Sequence, residues 1–197
     1  MDNNSDTLVL NYYQAMELAV SQLMIEKGYF SKEDMEREME FMAKRTPEIG
    51  ARVVVEAWTN STFKKQLLED GTVACESLGI EMGPTRLMVV ESTDKVHNVI
   101  VCSLCSCFPR MLMGPPPDWY KSSSYRSRVV QEPRSVLSEF GTEVPSTVEV
   151  RVHDNTADMR YLVLPRRPSG TEGWTAEALA ELVTRNSMIG VGVPKSP

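Results

Sequence analysis

Three of the four cysteines in this 197-residue chain lie within six positions, directly after an apolar run. The run, Val99-Ile100-Val101, is short and β-branched, which is typical of a strand buried in a core. It leads into the segment Cys102–Cys107, which carries the three thiols. A strand that stops at Cys102 would present this compact loop on a rigid base. This stretch therefore predicts one core strand and, directly after it, one candidate functional site.

Thiols packed this closely favour a metal site. The thiolate is both the ligand and the nucleophile, and neighbouring thiolates repel one another unless a cation offsets their charge. Sulfurs at the first, fourth and sixth positions of the loop can reach one face of a single ion, which brings the backbone nitrogen of Ser106 close to it. A strongly Lewis-acidic trivalent metal could take such nitrogens as ligands. Structural zinc needs four protein donors, and iron–sulfur clusters commonly use four cysteines, so either would need Cys75, His97 or His153.

The same loop has simpler interpretations that the spacing leaves open. It could be a small structural metal site, or a reduced thiol cluster without metal. A disulfide within the loop is less favourable, because such close spacings seldom allow relaxed disulfide geometry.

The loop and its surroundings resemble the nitrile hydratase α subunit. The segments that carry the resemblance are Cys102–Cys107, Pro116–Lys121, Tyr125–Arg128, Glu132–Arg134, Tyr161–Pro165, Arg167–Gly173 and Val183–Gly190. Weaker similarity continues upstream from Gly50 to Gly71, so the resemblance covers nearly the whole chain. The γ subunit of thiocyanate hydrolase, a member of the same family, is similar as well.

The resemblance implies a specific metal centre. Cys102, Cys105 and Cys107 would bind a non-haem iron(III) or non-corrin cobalt(III) ion through sulfur, and the backbone nitrogens of Ser106 and Cys107 would be further ligands. Cys105 would become a sulfinate and Cys107 a sulfenate, with arginines of a β subunit bound to their oxygens. Within the family, serine at the second motif position marks iron enzymes and threonine marks cobalt enzymes. Ser103 therefore favours Fe(III), with Co(III) as the alternative.

The reaction implied by the resemblance is the hydration of nitriles to amides, a lyase reaction, with Cys107, Cys105 and Ser106 as the catalytic residues. The metal would withdraw electron density from the triple bond. Either the Cys107 sulfenate oxygen or a metal-activated water would attack the nitrile carbon. The implied partners are a β subunit, in an αβ heterodimer or a dimer of such pairs, a small nitrile substrate and a metal-loading activator protein.

One segment departs from the hydratase pattern. Hydratases usually carry tryptophan a few residues after the last cysteine, where this chain has Arg110 in Phe108-Pro109-Arg110-Met111. Thiocyanate hydrolase has a Pro-Arg pair there, and arginine suits an anionic substrate. A thiocyanate hydrolase γ-type subunit is therefore the alternative function, although Ser103 argues against that cobalt enzyme. A non-catalytic thiolate metal module is the second alternative, and Arg110 could equally pair with a carboxylate at an interface.

Composition excludes several classes of function. The net charge of −6 and the pI near 5.1 argue against nucleic-acid binding, which needs a basic surface. The longest apolar runs are far too short to cross a membrane. The N-terminal sequence is polar and acidic, without the pattern of a secretory signal. Clustered cysteines without spaced pairs suit a reducing compartment, so we expect a cytoplasmic protein.

The first part of the chain has helical periodicity. Helices are predicted from Leu10 to Lys27, from a Ser31–Asp34 cap through Met42, from Pro47 to Trp58, from Phe63 to Gly71 and from Ala74 to Gly79. Residues 1–8 are expected to be irregular. The methionine stripe of the second helix is most simply core, but an amphipathic pair near a terminus often needs a partner. The resemblance points the same way, since the α subunit's helical arm embraces a β subunit.

After Met82-Gly83-Pro84 the periodicity changes. Strands are predicted at Arg86–Glu91, Lys95–Val101, Thr147–His153, Met159–Leu164 and Met188–Val193, with Asp154-Asn155 as a turn. Short helices are predicted at Tyr125–Gln131, at Pro133–Phe140 and after Thr175. The predicted fold class is α+β: a helical N-terminal arm, then a domain that the resemblance implies is a layered α-β-β-α domain carrying the metal loop. The predicted division is residues 1–80, helical, and 81–197, metal-binding and catalytic.

Several isolated residues have ordinary structural interpretations. Cys75 is expected to be a buried helical thiol, and Trp119 a core residue. His97 and His153 lie on strand patterns without a ligand partner at useful spacing, so neither is predicted to be catalytic. Tyr125, Arg126 and Arg128 match the family but could simply build the interface with the β subunit.

Overall fold

A computed structural model describes residues 11–197, which form two compact units that divide between Phe41 and Met42. The expectation for residues 1–8 lies outside the described residues. The division at residue 80 between a helical region and a catalytic domain stays a prediction. Among residues 11–197, no helix has both the length and the apolarity that crossing a bilayer requires.

The two N-terminal helices form as predicted. Helix α1 (Tyr12–Glu26) begins at Asn11, whose side chain accepts from the backbone of Gln14 in a capping box. Helix α2 (Lys32–Ala43) begins with Ser31, whose hydroxyl accepts from the Asp34 backbone at 3.0 Å. Hydrogen bonds from Ser31 lower the pKa of Asp34 to about 2. Neither helix has a buried residue.

Three further helices belong to the second unit: α3 (Pro47–Thr59), α4 (Ser61–Glu69) and α5 (Gly71–Ser77). Each junction is capped, because the side chain of Asn60 accepts from the first turn of α4 and that of Asp70 from the first turn of α5. Helix α3 buries Val53 and Val54 completely. The predicted helical region up to Gly79 is confirmed, and so is Cys75 as a buried thiol of α5.

Four strands follow: β1 (Arg86–Glu91), β2 (Val96–Val101), β3 (Glu149–Asp154) and β4 (Met159–Leu164). They form two parallel pairs, β1 with β4 and β2 with β3. The positions of the strands were predicted, but Asp154-Asn155 is not a hairpin turn, because β3 and β4 each pair with an earlier strand. Parallel pairing needs long connections, and helices supply them.

The remaining helices are α6 (Arg110–Met113), α7 (Asp118–Lys121), α8 (Ser123–Gln131), α9 (Pro133–Glu139), α10 (Ala176–Ala180) and α11 (Arg185–Ile189). Helices α4 and α5 pack on β1, α9 packs on β3, and α11 packs on β4 and β2. Sheets flanked by helices are the arrangement expected, so the predicted fold class is confirmed. Helices α6 and α7 were not predicted.

The predicted strand at Met188–Val193 is wrong. Thr184 and Ser187 form a reciprocal capping box that begins α11, and Gly190 ends it with a left-handed φ of 91°. Met188 and Ile189 are buried in this short helix. A short apolar run of this kind cannot be distinguished from a strand by periodicity alone.

Candidate metal centre

The three loop cysteines converge directly after β2. The sulfur of Cys105 lies 3.4 Å from that of Cys102 and 3.3 Å from that of Cys107, and all three sulfurs lie within 4.8 Å of one another. Sulfurs held about 2.3 Å from one ion lie about 3.3 Å apart when their bonds meet at a right angle, and about 3.8 Å apart in a tetrahedron. Separations of this size fit three thiolate donors on a single ion.

The three thiols differ in exposure, and Cys105 and Cys107 differ in acidity. Cys102 is buried, Cys107 is partly exposed and Cys105 is exposed. Hydrogen bonds from the thiols of Cys107 and Cys102 lower the pKa of Cys105 to about 7. Burial, followed by the adjacent Cys105, raises the pKa of Cys107 to about 11, while the guanidinium of Arg160 acts in the opposite direction. The thiol of Cys105 thus ionises far more readily than that of Cys107, and a bound cation would be needed to hold Cys107 as a thiolate.

The exposed side of the loop is held by two side chains from other elements. Asp154, the last residue of β3, accepts from the backbone nitrogen of Ser103 at 2.9 Å and from its hydroxyl. Arg126, in α8, donates to the carbonyl oxygen of Leu104 at 3.0 Å. The Leu104 side chain is 88% exposed at the tip of the loop.

The end of the loop is held from the core. Tyr120, in α7, and Asn155, directly after β3, both donate to the carbonyl oxygen of Cys107, at 3.0 and 3.2 Å. Burial raises the pKa of Tyr120 far above its usual value, so its hydroxyl stays protonated as a donor. The Tyr120 ring packs edge-on against Phe108, with ring centroids 4.9 Å apart.

Aromatic packing continues below the loop. Trp119 packs on the rings of Tyr125 and Phe140, as expected of a core residue. Tyr125 is buried, and its hydroxyl donates to the carbonyl of Ile100 in β2 at 2.8 Å. The aromatic cluster is therefore joined to β2.

A small cavity of about 170 Å³ lies beside the loop exit. Phe108, Met82 and Met111 give it an apolar lining, and Arg110 and Arg160 add two guanidinium groups. Arg160 also donates to backbone carbonyls, including that of Met159 at 3.0 Å. A larger cavity of about 690 Å³ lies between residues such as His97, Glu143 and Arg166, and no loop cysteine lines it. The converging thiols, and not the larger cavity, therefore mark the candidate site.

The proposed distant donors are engaged elsewhere. Cys75 is buried in α5, and burial raises its pKa to about 12. His97 lies with Nε2 2.7 Å from the carbonyl of Gly190, and His153 with Nε2 2.8 Å from the Asn98 side chain. Within residues 11–197, the three loop cysteines form the one cluster of side chains with metal-ligand geometry.

Sequence reasoning missed several residues that support the loop. Asp154 and Asn155 had been interpreted as a turn, and Arg160 had no assigned role. Tyr120 lies in a segment that carried the resemblance, Pro116–Lys121, but no spacing rule connects it with Cys107. The only local signal was that polar residues directly follow a strand that ends near the loop.

Comparison with known proteins shows the family of the chain. The family model for the nitrile hydratase alpha chain matches residues 11–192. The chain belongs to the nitrile hydratase α chain family. A nitrile hydratase subunit alpha of Rhodococcus sp. is 50% identical over 91% of this chain and 92% of that one. A cobalt-containing nitrile hydratase subunit alpha of Pseudonocardia thermophila is 48% identical over 98% of this chain and 96% of that one.

Solved structures of a nitrile hydratase and of a thiocyanate hydrolase are similar to this chain as well. A double mutant of the Fe-type nitrile hydratase from Comamonas testosteroni Ni1 matches with a TM-score of 0.85 and 40% identity, over 95% of this chain and 94% of that one. A recombinant thiocyanate hydrolase with partially modified cobalt centres matches with a TM-score of 0.90 and 41% identity, over 94% and 91%. The nitrile hydratase α chain family, its fold and a cysteine metal site are thus established for this chain.

Proposed function

We propose that this chain is the metal-bearing α subunit of a nitrile hydratase that converts small nitriles to amides. The observation that carries the proposal is the convergence of the three thiols on a loop fixed at both ends. Cys102, Cys105 and Cys107 would hold the ion through sulfur, and Ser106 and Cys107 through backbone nitrogen. The ion, when bound, supplies Lewis acidity that polarises the nitrile triple bond.

We propose iron(III) as the metal, because Ser103 occupies the motif position where serine accompanies iron. Ser103 is hydrogen-bonded through both its backbone nitrogen and its hydroxyl to Asp154, which fixes this motif position at the end of β3. The Fe-type relative supports iron and the cobalt-containing relatives support the alternative, cobalt(III).

Cys105 is proposed to carry a sulfinate and Cys107 a sulfenate. These are the two accessible thiols of the loop, whereas Cys102 is buried. Accessible thiolates oxidise most readily, which fits this division. The nucleophile is either the Cys107 sulfenate oxygen or a water molecule. The other catalytic residues, Cys105 and Ser106, would orient the site.

A β subunit is the proposed partner, in an αβ heterodimer or a dimer of such pairs. Helix α1 exposes large apolar side chains, among them Tyr13 at 79% and Leu18 at 57%. Exposed apolar surface of this kind marks a protein interface. The β subunit would also supply donors to the oxidised sulfurs. A metal-loading activator protein and a cytoplasmic location complete the proposal, the latter because all four cysteines are free.

Thiocyanate hydrolysis is the second candidate, supported by Arg110 and Arg160 at the small cavity. An anionic substrate would use these guanidinium groups, and a neutral nitrile would not. The test is to express the chain with its β subunit and measure kcat/KM for a small aliphatic nitrile and for thiocyanate. Amide production at least about 100-fold above thiocyanate turnover supports the hydratase; the reverse order refutes it.

The variant Arg110→Met separates the two candidates further, because methionine keeps an aliphatic side chain of similar reach without charge. For a hydratase, nitrile turnover changes by less than about threefold. For a thiocyanate enzyme, KM for thiocyanate rises roughly 10-fold or more, as expected for a lost charge-assisted contact of about 1.5–3 kcal/mol.

A further inference from the structure

The carbonyl oxygen of Cys107 is satisfied by two buried side chains from outside the loop. Tyr120 donates from its hydroxyl at 3.0 Å and Asn155 from its amide nitrogen at 3.2 Å. A carbonyl oxygen has two lone pairs, so these donors use its full capacity. Tyr120 is 0% exposed and Asn155 is 3% exposed, so both donors reach Cys107 from the core.

The two donors also fix each other. The amide nitrogen of Asn155 donates to the Tyr120 hydroxyl at 2.9 Å, which closes a triangle with the Cys107 carbonyl. The Asn155 side-chain oxygen accepts from the backbone of Tyr161 in β4 at 2.6 Å, and its backbone nitrogen donates to Val101 in β2 at 2.7 Å. Asn155 thereby ties Cys107 to three strands, because it directly follows β3 and bonds to β2 and β4.

We propose that Tyr120 and Asn155 are positioning residues that hold the backbone of Cys107 in its ligating conformation before the metal arrives. The inference deepens the proposed function and rests on it only for the role of Cys107 as a metal ligand. Cys107 lies beyond the end of β2 at Val101, so the hydrogen bonds of that strand do not fix its sulfur or its nitrogen. A preformed backbone spares the incoming ion the entropy cost of ordering the end of the loop.

The other restraints on the loop are of a different kind. Asp154, which binds Ser103, is exposed, and so is Leu104, whose carbonyl accepts from Arg126. Water can replace a hydrogen bond that is lost at either position. The two donors to Cys107 are buried, so a hydrogen bond lost there is harder for water to replace. We therefore expect the loop exit, and not its tip, to control metal affinity.

The test uses the full-length chain, reduced and free of oxygen, titrated with Co²⁺ while thiolate-to-cobalt absorbance is recorded. Tyr120→Phe removes the hydroxyl and keeps the ring that packs on Phe108. We expect it to weaken Co²⁺ binding about 10- to 100-fold, the usual effect of removing a partner that orients a metal ligand.

Tyr125→Phe is the matched control. It removes a buried tyrosine hydroxyl from the same aromatic cluster, but that hydroxyl donates to Ile100 in β2 and not to the loop. We expect its Co²⁺ affinity to stay within about threefold of the wild-type value. Equal weakening by both variants would mean that general destabilisation is the cause, and an unchanged affinity in Tyr120→Phe would also overturn the proposal.

Asn155→Asp provides an independent variant should Tyr120→Phe fail to fold. The carboxylate can still accept from Tyr161 but cannot, when ionised, donate to Cys107. An added negative charge by itself would favour a bound cation, so weaker Co²⁺ binding points to the lost hydrogen bonds, and tighter binding contradicts the proposal. These affinities are independent of turnover: a complex without nitrile activity would refute the proposed function and leave the comparison between variants intact.

Discussion

Replacing Gly190 with alanine should destabilise the protein more than the same change at a left-handed glycine that lies in open space. Gly190 has φ of 91°, and a Cβ atom there would lie 2.0 Å from the carbonyl oxygen of Asn98 and 2.9 Å from the Cα of Val99. Both atoms belong to the backbone of β2, the strand that leads to Cys102. The strand itself would have to move, because no flexible side chain can yield.

The matched control is Gly141→Ala. Gly141 has φ of 79°, and a Cβ atom there would meet nothing within 4 Å. Both variants incur the left-handed penalty of about 1–2 kcal/mol. Only Gly190→Ala adds an overlap with backbone, which costs about 1–3 kcal/mol or more when a packed core is overfilled.

Thermal unfolding of the full-length chain measures the difference. For a chain of this size 1 kcal/mol corresponds to about 2–4 °C, so Gly141→Ala should lower Tm by roughly 2–8 °C and Gly190→Ala by at least a further 2–4 °C. Equal Tm values for the two variants would refute the close packing of Gly190 on β2.

Three further outcomes are expected. Cys107→Ser should abolish nitrile hydration and weaken metal retention while far-ultraviolet circular dichroism stays unchanged; a variant with its metal and near-normal turnover would show that Cys107 is neither ligand nor source of the reactive oxygen. Burial lowers the pKa of His97 and His153 below 6.5, so the unfolded chain binds more protons than the folded chain as the pH falls below about 6.5. The free energy of unfolding should therefore be fully present above about pH 6.5 and decrease below it. The urea midpoint should show this decrease, and a His97→Gln/His153→Gln variant should show less of it. Deletion of residues 1–45 should abolish assembly and activity together while the α/β domain stays folded, and sedimentation of the full chain alone as an active monomer would contradict the need for a partner.

Local features of the sequence predicted much of the fold. Ser31 and Thr175 are predicted caps whose side chains bind nearby backbone, so the starts of their helices follow from a few adjacent residues. The strand before Cys102 was equally clear, because β-branched residues precede a polar loop. Three cysteines in six positions likewise brought the thiols together without any information about distant segments.

Long-range pairings could not be predicted in the same way. Asp154 and Asn155 lie about 50 positions after the loop, and only the parallel pairing of β3 with β2 brings them to it. Parallel register depends on how the intervening helices pack, which periodicity does not reveal. The strand predicted at Met188–Val193 was wrong for a related reason. Most of the segment is buried, so it lacks the polar positions by which an amphipathic helix is identified.

The presence of an oxidised, metal-bearing cysteine loop is tested most directly by metal content and peptide mass. The chain, purified with its β subunit from cells supplied with both iron and cobalt, is analysed for elements and cleaved with trypsin. The peptide Val96–Arg110 contains all three loop cysteines and excludes Cys75. We expect near-stoichiometric iron, with two added oxygen atoms on Cys105 and one on Cys107. Cobalt in that amount in an active complex would contradict the choice of iron; zinc with three unmodified thiols would contradict the catalytic centre itself.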